Sequence, residues 1–432
     1  MKHFRLRGFL ITALLLPHLG QAEQMGVGAD KPGGVYQVGE TVHWSVRWQD
    51  TNAVPQAQFK LLKGGLTEAA RGDLKFTNAV AEVETIFTAP GTLLLETKWK
   101  SADGKEHRAL AGAVASPERI PLAAPRPDDF DEFWSAKLKE LAAVPANPRL
   151  ESVALGNPDL AFWKISLDNI RGTHIQGQLA RPASGEKFPA LLIVQWAGVY
   201  PLQKSWATDR AREGWLVLNI EAHDLPIDRP ESFYKEQSAG PLKDYPAIGN
   251  ADRDTSYFLR MYLSCCRAAE YLTQREDWDG KTLVVMGGSQ GGLQALMTAG
   301  LHSKITAALA IVPAGCDMLG PDAGRAPGWP QWYFQTGGKG AAKVRAASRY
   351  FDVANFTPRI KCPVLVGLGL IDETCPPAGI IAAVNQIPSP KEIIILPNAE
   401  HQENKGSHGA YMRRCYNEWL PALVKGKPAP VK

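Results

Sequence analysis

One serine lies in a pattern that is typical of a catalytic nucleophile. The apolar run 283–286 predicts a buried strand, residues 293–299 predict a helix, and Ser289 lies between them within Gly-Gly-Ser-Gln-Gly at 287–291. A serine on so sharp a turn holds its Oγ clear of the sheet, and the flanking glycines remove side chains that would collide there. The first amides of the helix then point at the carbonyl under attack. This nucleophile elbow predicts a catalytic Ser289, with a plain turn as the alternative.

A serine hydroxyl needs a base to take its proton, and a histidine held in one tautomer by a carboxylate is the usual solution. After a serine elbow of this kind the order along the chain is serine, acid, histidine. His401 is predicted as the base because it lies in the loop just after the strand that ends at Leu396. His302 directly follows the elbow helix and should point away, and His408 is better placed to cap the last helix.

The acid should lie just beyond the preceding strand. Asp372 fits because it follows the apolar run 364–371. Glu373 is the neighbour that competes with it, and Asp317, which follows the strand ending at Val312, is a more distant candidate.

An oxyanion hole needs two preorganised amides. The N–H of Gln290, the residue after the nucleophile, is predicted to supply one. The loop after strand 190–194 should supply the other, where Gly198 lets the backbone approach a substrate closely. Val199 is the first candidate for that N–H, and Tyr200 is the second.

The elements that must place these residues alternate between strand and helix from residue 190 onwards. Such alternation predicts an α/β fold with a mostly parallel sheet and helices on both faces, and with a serine elbow it predicts the α/β-hydrolase fold. Two long segments, 222–252 and 315–358, carry little regular pattern and are typical of lids or binding loops. The predicted strands are 151–155, 162–167, 175–180, 190–194, 216–220, 283–286, 305–312, 364–368 and 392–396; the predicted helices are 206–213, 255–274, 293–299, 378–386 and 409–423.

The N-terminal part of the chain has a different pattern. Short strands separated by turn signals predict a small immunoglobulin-like β sandwich over 23–115, which either packs on the catalytic domain or binds carbohydrate; packing is favoured. A proline-spaced linker over 116–127 follows, and the catalytic domain is predicted over 128–432, opening with a helix at 129–142 capped by Asp128. The predicted sandwich strands are 42–48, 58–62, 79–83, 93–99 and 109–114, and one of the turns between them is 71–73.

The first 22 residues have the features of a cleavable signal peptide. Basic residues lie between positions 2 and 7, residues 9–16 form an apolar core, and Gly-Gln-Ala at 20–22 fits a cleavage site. Secreted or periplasmic localisation is therefore expected. No later segment reaches ~18 uninterrupted apolar residues, so no membrane span is predicted.

Composition excludes several other classes. Of the 432 residues 45% are hydrophobic and 21% charged, and a net charge of +4 is no evidence for nucleic-acid binding. Six cysteines in a chain of this length are not a disulfide scaffold, although a bond between Cys362 and Cys375 is one option. No cysteine and histidine spacing resembles a zinc site, so neither a metal nor a cofactor is expected.

Three stretches resemble the acetyl xylan esterase and cephalosporin C deacetylase family, carbohydrate esterase family seven. They are Pro-Arg-Pro-Asp-Asp-Phe-Asp-Glu-Phe-Trp at 125–134, Gly-Gly-Ser-Gln-Gly-Gly at 287–292 and Leu-Ile-Asp-Glu-Thr-Cys-Pro-Pro at 370–377. The resemblance implies removal of acetyl groups from sugar hydroxyls, with Ser289, Asp372 and His401 as the catalytic triad.

The chain departs from the family at three places. The family usually has His-Gly-Tyr where Ala-Gly-Val stands at 197–199, Arg-Gly-Gln where Glu-Ala-His-Asp stands at 221–224, and a glutamate where Gln402 follows the histidine. These differences indicate a divergent branch, and they leave the substrate and the assembly, including a homo-oligomer, open.

The predicted function is an exported serine esterase that deacetylates carbohydrate such as acetylated xylan through an acyl-Ser289 intermediate. The alternatives are action on another ester or amide, such as an aryl ester, a glucuronoyl ester or a peptide, and a non-catalytic glycan-binding protein. Trp329 and Trp332 either stack on sugar rings or form a hydrophobic plug between lid and core, and Tyr200 is a further candidate for substrate binding.

Overall fold

The computed structural model describes residues 25–50, 53–335 and 341–432; the predicted signal peptide over 1–22 lies outside these ranges. The strands are β1 (Met25–Ala29), β2 (Val35–Tyr36), β3 (Thr41–Trp48), β4 (Ala57–Lys63), β5 (Thr67–Asp73), β6 (Val80–Ile86), β7 (Gly91–Lys100), β8 (Glu106–Ala115), β9 (Arg149–Ser152), β10 (Leu160–Asp168), β11 (His174–Pro182), β12 (Phe188–Ile193), β13 (Leu216–Ile220), β14 (Trp278–Gly288), β15 (Ala307–Ile311), β16 (Val364–Gly369) and β17 (Lys391–Leu396). The helices are α1 (Phe130–Ala142), α2 (Lys204–Arg212), α3 (Glu231–Ala239), α4 (Tyr257–Gln274), α5 (Gln290–Leu301), α6 (Trp332–Gln335), α7 (Ala341–Ser348), α8 (Pro377–Asn385), α9 (Gly409–Arg413) and α10 (Leu420–Leu423), with a π-helical turn, Arg414–Trp419, between the last two.

A nine-stranded sheet forms the centre of the larger unit. Its order is β17-β16-β15-β14-β12-β13-β11-β10-β9. Neighbours from β17 to β13 are parallel, whereas β11, β10 and β9 pair antiparallel. The predicted mostly parallel α/β sheet is therefore confirmed.

Strand β14 shows why the sheet is covered by helices on both faces. Leu283 and Val285 belong to one core cluster, together with side chains of α1, α4, α5 and α8. Val284 and Met286 belong to a second cluster, with side chains of α2 and the C-terminal helices. Because successive side chains of a strand point to opposite faces, an apolar run of this kind needs a helical layer on each side.

The strand order also fixes where a site can form. The chain passes from β12 to β13 on one side and returns to place β14 on the other side of β12. The order of the strands thus reverses between β12 and β14, and open α/β sheets bind ligands in the crevice at the carboxyl ends of such strands. The loop after β12 and the elbow after β14 meet there.

The N-terminal strands form the predicted sandwich. One sheet has the order β1-β3-β6 and the other β2-β8-β7-β4-β5. Side chains of both sheets share one core, as Trp44 and Val46 of β3 do with Leu95 and Ala113 of β7 and β8. The polar residues of β3 alternate with these apolar ones and face outward, because successive side chains of a strand point to opposite faces.

Several predictions about local structure were wrong. The turn at 71–73 is part of β5, an edge strand whose exposed polar residues give no apolar alternation and which backbone pairing to β4 holds in place. Segments 222–252 and 315–358 contain the helices α3 and α7. The helix predicted at 409–423 forms over that range, but its middle part, Arg414–Trp419, is a π-helical turn. Asp129 rather than Asp128 precedes α1, and its side chain makes no capping hydrogen bond.

All six cysteines are free and buried, so the disulfide between Cys362 and Cys375 is not formed. Over 25–50, 53–335 and 341–432 the structure contains no helix with the length and apolar character needed to cross a membrane.

Candidate active site

Ser289 lies on a sharp turn between β14 and α5. Its backbone has φ 56° and ψ −121°, a conformation that non-glycine residues rarely adopt. The turn is possible because a Cβ on Gly287 would lie 2.5 Å from the carbonyl carbon and oxygen of Gly291. The Ser289 N–H donates to the Ile311 carbonyl at 2.9 Å, which ties the elbow to β15.

The three predicted catalytic residues lie in one hydrogen-bonded chain. Ser289 Oγ is 2.9 Å from His401 Nε2, and His401 Nδ1 is 2.9 Å from Asp372 Oδ2. Each residue follows a different parallel strand, β14, β16 or β17, so that the carboxyl edge of the sheet brings them together. Ser289 is partly exposed, whereas the His401 side chain is 10% exposed and that of Asp372 is fully buried.

Asp372, and not its neighbour, faces the histidine. Its Oδ1 accepts hydrogen bonds from the backbone N–H groups of Thr374 at 2.8 Å and Cys375 at 2.7 Å, which leaves Oδ2 for His401. Glu373 points outward and pairs with Arg108 of the sandwich.

Asp317, the more distant candidate for the acid, belongs to a separate polar cluster. Its carboxylate pairs with Arg325 at 2.5 Å and accepts from the Ala123 N–H of the proline-spaced segment at 2.8 Å. Burial raises the pKa of Asp317, and Arg325 opposes that shift.

The other two downstream histidines lie elsewhere. His302 ends α5 at the opposite end of that helix from Ser289. His408 precedes α9, as predicted, but its side chain makes no capping bond; Nε2 instead lies 3.0 Å from the Glu400 carbonyl oxygen. His408 therefore supports the loop that carries His401.

The two amides predicted for the oxyanion hole lie on adjoining segments. Gln290 is the first residue of α5, where helical N–H groups have no intrahelical partner. Val199 lies in the loop after β12, next to Gly198, whose φ of 129° favours glycine. The Gln290 side chain holds this loop, since its Nε2 donates to the Gln195 carbonyl at 3.3 Å.

Sequence reasoning missed several residues that support the loop after β12. Gln294 Nε2 donates to the Gln195 carbonyl at 2.9 Å, and the Tyr245 hydroxyl donates to Gln290 Oε1 at 2.6 Å. His223 Nε2 lies 2.9 Å from the Gly198 carbonyl oxygen. The one signal in the sequence was the departure from the family pattern at 221–224; the other contacts join segments too far apart in the chain to show a pattern.

The predicted aromatic residues differ in their accessibility. Trp332 is 2% exposed and packs against Phe258 and Phe351, so its position fits a hydrophobic plug rather than a sugar platform. Trp329 is partly exposed and lies 6.4 Å from Tyr245, ring centre to ring centre. Tyr200 stacks on Trp196, and its hydroxyl donates to the Trp196 carbonyl at 2.9 Å.

One group of side chains has the composition of a metal site. Potential ligand atoms of Asp372, Cys375 and His401 lie within 4.8 Å of one another. Burial raises the pKa of the Cys375 thiol well above its usual value, which disfavours the thiolate that a metal requires. Asp372 and His401 already bind each other, so these residues fit a proton-transfer site better than a metal site.

Comparison with known proteins identifies the family of this chain. The family profile described as Acetyl xylan esterase (AXE1) matches residues 121–420. The chain belongs to the acetyl xylan esterase family. It is 35% identical over 365 residues to the acetyl esterase Axe7A of Xylanibacter ruminicola, covering 83% of this chain and 80% of that protein. The chain is accordingly a carboxylic ester hydrolase of this family.

Solved structures show the same fold. The acetyl xylan esterase from Paenibacillus sp. R4 superposes with a TM-score of 0.60 at 25% identity, over 69% of this chain and 96% of that one. Acetyl xylan esterase 1 from Thermoanaerobacterium sp. JW/SL YS485 has a TM-score of 0.61 at 22% identity, over 71% and 97%. The α/β-hydrolase fold predicted from the sequence is confirmed.

Proposed function

We propose that this esterase removes acetyl groups from carbohydrate hydroxyls, with acetylated xylan or xylo-oligosaccharides as the substrate class. The observation that carries the proposal is the unbroken chain of hydrogen bonds from Ser289 through His401 to Asp372 at the carboxyl edge of the sheet. The choice of an acetyl ester of a xylan sugar rests on the family, which is described as acetyl xylan esterase, and on the similarity to an acetyl esterase.

The geometry supports a two-step acyl transfer. Ser289 Oγ attacks the acetyl carbonyl carbon while His401 Nε2 takes its proton, and Asp372 stabilises the imidazolium that forms. The N–H groups of Gln290 and Val199 bind the oxyanion. The intermediate collapses as His401 returns the proton to the departing sugar oxygen, which leaves acetyl-Ser289. Water, deprotonated by His401, then attacks the acetyl carbonyl; the bond from that carbon to Ser289 Oγ breaks, His401 returns the proton to Oγ, and acetate leaves.

The aromatic surface near the site would bind the sugar. Trp329 is the partly exposed candidate, and Tyr200 directly follows Val199 in the loop after β12 and stacks on Trp196. Trp332 is buried, and its proposed role is to support the adjoining segment.

We expect purified enzyme to release acetate from acetylated xylo-oligosaccharides with a kcat/KM at least about tenfold above that for p-nitrophenyl butyrate or a methyl glucuronoyl ester, since ester selectivity reflects differential transition-state binding. Acetate is measured by a coupled assay, with chemically deacetylated xylan as the blank. Equal or faster hydrolysis of the other esters would favour the same machinery on another substrate.

The sandwich is proposed to pack on the catalytic unit rather than to bind glycan. A Cβ on Gly112 of β8 would lie 2.5 Å from Leu370, which precedes Asp372 by two residues. The Ala326 N–H donates to the Gly64 carbonyl at 2.8 Å. A cavity of about 170 Å³ lies between the hairpin at 64–65 and Asp372. The sandwich therefore borders the segment that holds the acid.

Gly112→Ala is expected to lower the free energy of unfolding by about 1–3 kcal/mol, because the new methyl group meets backbone that must move. The same shift displaces the Asp372 segment and should lower kcat. Gly28→Ala is the matched control, since a Cβ on Gly28 of β1 meets nothing within 4 Å. Thermal unfolding and p-nitrophenyl acetate hydrolysis measure both effects; identical behaviour of the two variants would contradict the packing role.

Export to the periplasm or medium is also proposed, on the charged, apolar and small-residue pattern of residues 1–22. Fractionation of cells that produce the full chain, with N-terminal sequencing of the product, tests cleavage after Ala22.

A further inference from the structure

A chain of hydrogen bonds runs from helix α4 to the loop that carries Val199. Arg260 Nη2 donates to the Tyr257 hydroxyl at 2.7 Å, and that hydroxyl lies 2.6 Å from His223 Nδ1. His223 Nε2 lies 2.9 Å from the Gly198 carbonyl oxygen. The chain of contacts therefore ends on the peptide bond between Gly198 and Val199.

The partners of His223 fix which ring nitrogen carries the proton. The Gly198 carbonyl can only accept, so Nε2 must donate. In a neutral ring with the proton on Nε2, Nδ1 can only accept, so the Tyr257 hydroxyl, which accepts from Arg260, donates its own proton to Nδ1. His223 is 1% exposed, and this burial lowers its pKa to about 4, so the neutral ring with a proton on Nε2 persists near neutral pH.

The orientation of the Gly198 carbonyl decides where the next N–H points. In a trans peptide the C=O and N–H groups point in opposite directions. Because His223 holds the carbonyl of Gly198 on one side, the Val199 N–H is aimed to the other. Within 25–50, 53–335 and 341–432 no protein group accepts a hydrogen bond from that N–H, which leaves it available to a substrate.

A second set of contacts connects the same loop to Gln290, the residue that follows the nucleophile. The Gly198 N–H donates to the Tyr245 hydroxyl at 3.4 Å, and this hydroxyl donates to Gln290 Oε1 at 2.6 Å. The rings of His223 and Tyr245 pack edge to face with their centres 4.7 Å apart. Gly198 is therefore held at its C=O by His223 and at its N–H by Tyr245, and Tyr245 in turn contacts Gln290, the residue that follows Ser289.

We propose that His223 is a positioning residue of the oxyanion hole, which locks the Gly198–Val199 peptide so that the Val199 N–H faces the developing oxyanion. The inference rests on the proposed function, since it assigns His223 a part in that reaction. His223 lies in the segment 221–224, where this sequence has Glu-Ala-His-Asp in place of Arg-Gly-Gln. The residue that holds the loop after β12 is therefore one that the family pattern does not contain.

An amide fixed before the reaction stabilises the oxyanion without any cost of reorientation during it. The benefit arises in the transition state, where charge develops, and hardly in the bound ester. Loss of His223 should therefore lower kcat and kcat/KM together and leave KM nearly unchanged.

His223→Phe retains a ring of similar size but removes the donor, whereas His223→Gln offers an amide N–H in place of Nε2–H. With p-nitrophenyl acetate we expect kcat to fall about 10- to 100-fold in H223F with KM within about twofold, and H223Q to recover several-fold of that loss. An unchanged kcat in H223F overturns the inference. So does a loss of kcat that is equal in H223F and H223Q and is accounted for by their lower melting temperatures.

Tyr257→Phe provides a test that does not depend on the folding of H223F. It removes the proton donor to Nδ1, so we expect kcat to fall about threefold to tenfold as the Nε2–H tautomer loses its support. Tyr262→Phe is the matched control on the same helix: its hydroxyl is buried and donates to the Phe351 carbonyl at 2.6 Å. Equal kcat in Y257F and Y262F overturns the inference.

Ser289→Ala separates this inference from the proposed function. An inactive S289A with a fully active H223F contradicts the positioning role alone. An active S289A contradicts the acyl-serine mechanism on which the positioning role rests.

Discussion

Ser289→Ala is expected to lower kcat for p-nitrophenyl acetate by on the order of 10⁴- to 10⁶-fold, because it removes the hydroxyl oxygen that lies 2.9 Å from His401 Nε2. The remaining rate would come from water in a site whose oxyanion donors are intact. The variant should fold normally, since Oγ makes its hydrogen bond to the His401 side chain and the elbow is held by backbone contacts.

Ser389→Ala is the matched control for that experiment. Its hydroxyl donates to the Cys362 carbonyl at 2.7 Å, near the amino ends of β16 and β17 and therefore at the opposite edge of the sheet. We expect wild-type activity. A fluorophosphonate probe should label the wild type and S389A but not S289A. Retention of more than about 1% of activity by S289A would contradict a covalent serine mechanism, for which a far larger loss is the norm.

Asp372→Asn is expected to lower kcat by about 10⁴-fold while the geometry of the site is preserved. Oδ1 of Asp372 accepts from the N–H groups of Thr374 and Cys375, so the amide oxygen of asparagine must take that place. The amide NH₂ then faces His401 Nδ1, and because an NH₂ group can only donate, Nδ1 must accept from it. The proton of the imidazole moves to Nε2, where it blocks transfer from the Ser289 hydroxyl.

Glu373→Gln is the control for the acid. Glu373 is 44% exposed and pairs with Arg108, and a surface ion pair of this kind contributes about 0–1 kcal/mol. We expect kcat within about twofold of wild type, since no oxyanion donor or triad atom is changed. A pH profile of kcat/KM for both variants measures the difference, and a larger loss in E373Q than in D372N would reverse the assignment of the acid.

The sequence predicted the larger part of the fold because its strands are apolar runs of the length that a parallel sheet requires. The run 283–286 could be recognised as a buried strand, and its β-branched residues do lie on both faces of the sheet. Edge strand β5 and helix α3 were not predicted, since polar, exposed segments show no regular spacing of apolar residues.

For the site, the sequence by itself determined which three residues, Ser289, Asp372 and His401, are expected to lie together. Each of Ser289, Asp372 and His401 follows a predicted strand, and the carboxyl ends of parallel strands share one edge, so proximity followed from topology. The glycines at 287 and 291 likewise indicated the elbow, because the close approach of backbone leaves no room for a Cβ.

Only the tertiary structure decided the rest. Asp372 and Glu373 are adjacent carboxylates that differ in their partners. The turn that follows directs two backbone N–H groups at Asp372, whereas Glu373 pairs with Arg108. The accessibility of Trp329 and the burial of Trp332 depend on packing from distant segments. The link from His223 to Gly198 also joins segments that are distant in the chain. Hydrogen bonds between such groups depend on their separation in space, and a single sequence records only their separation along the chain.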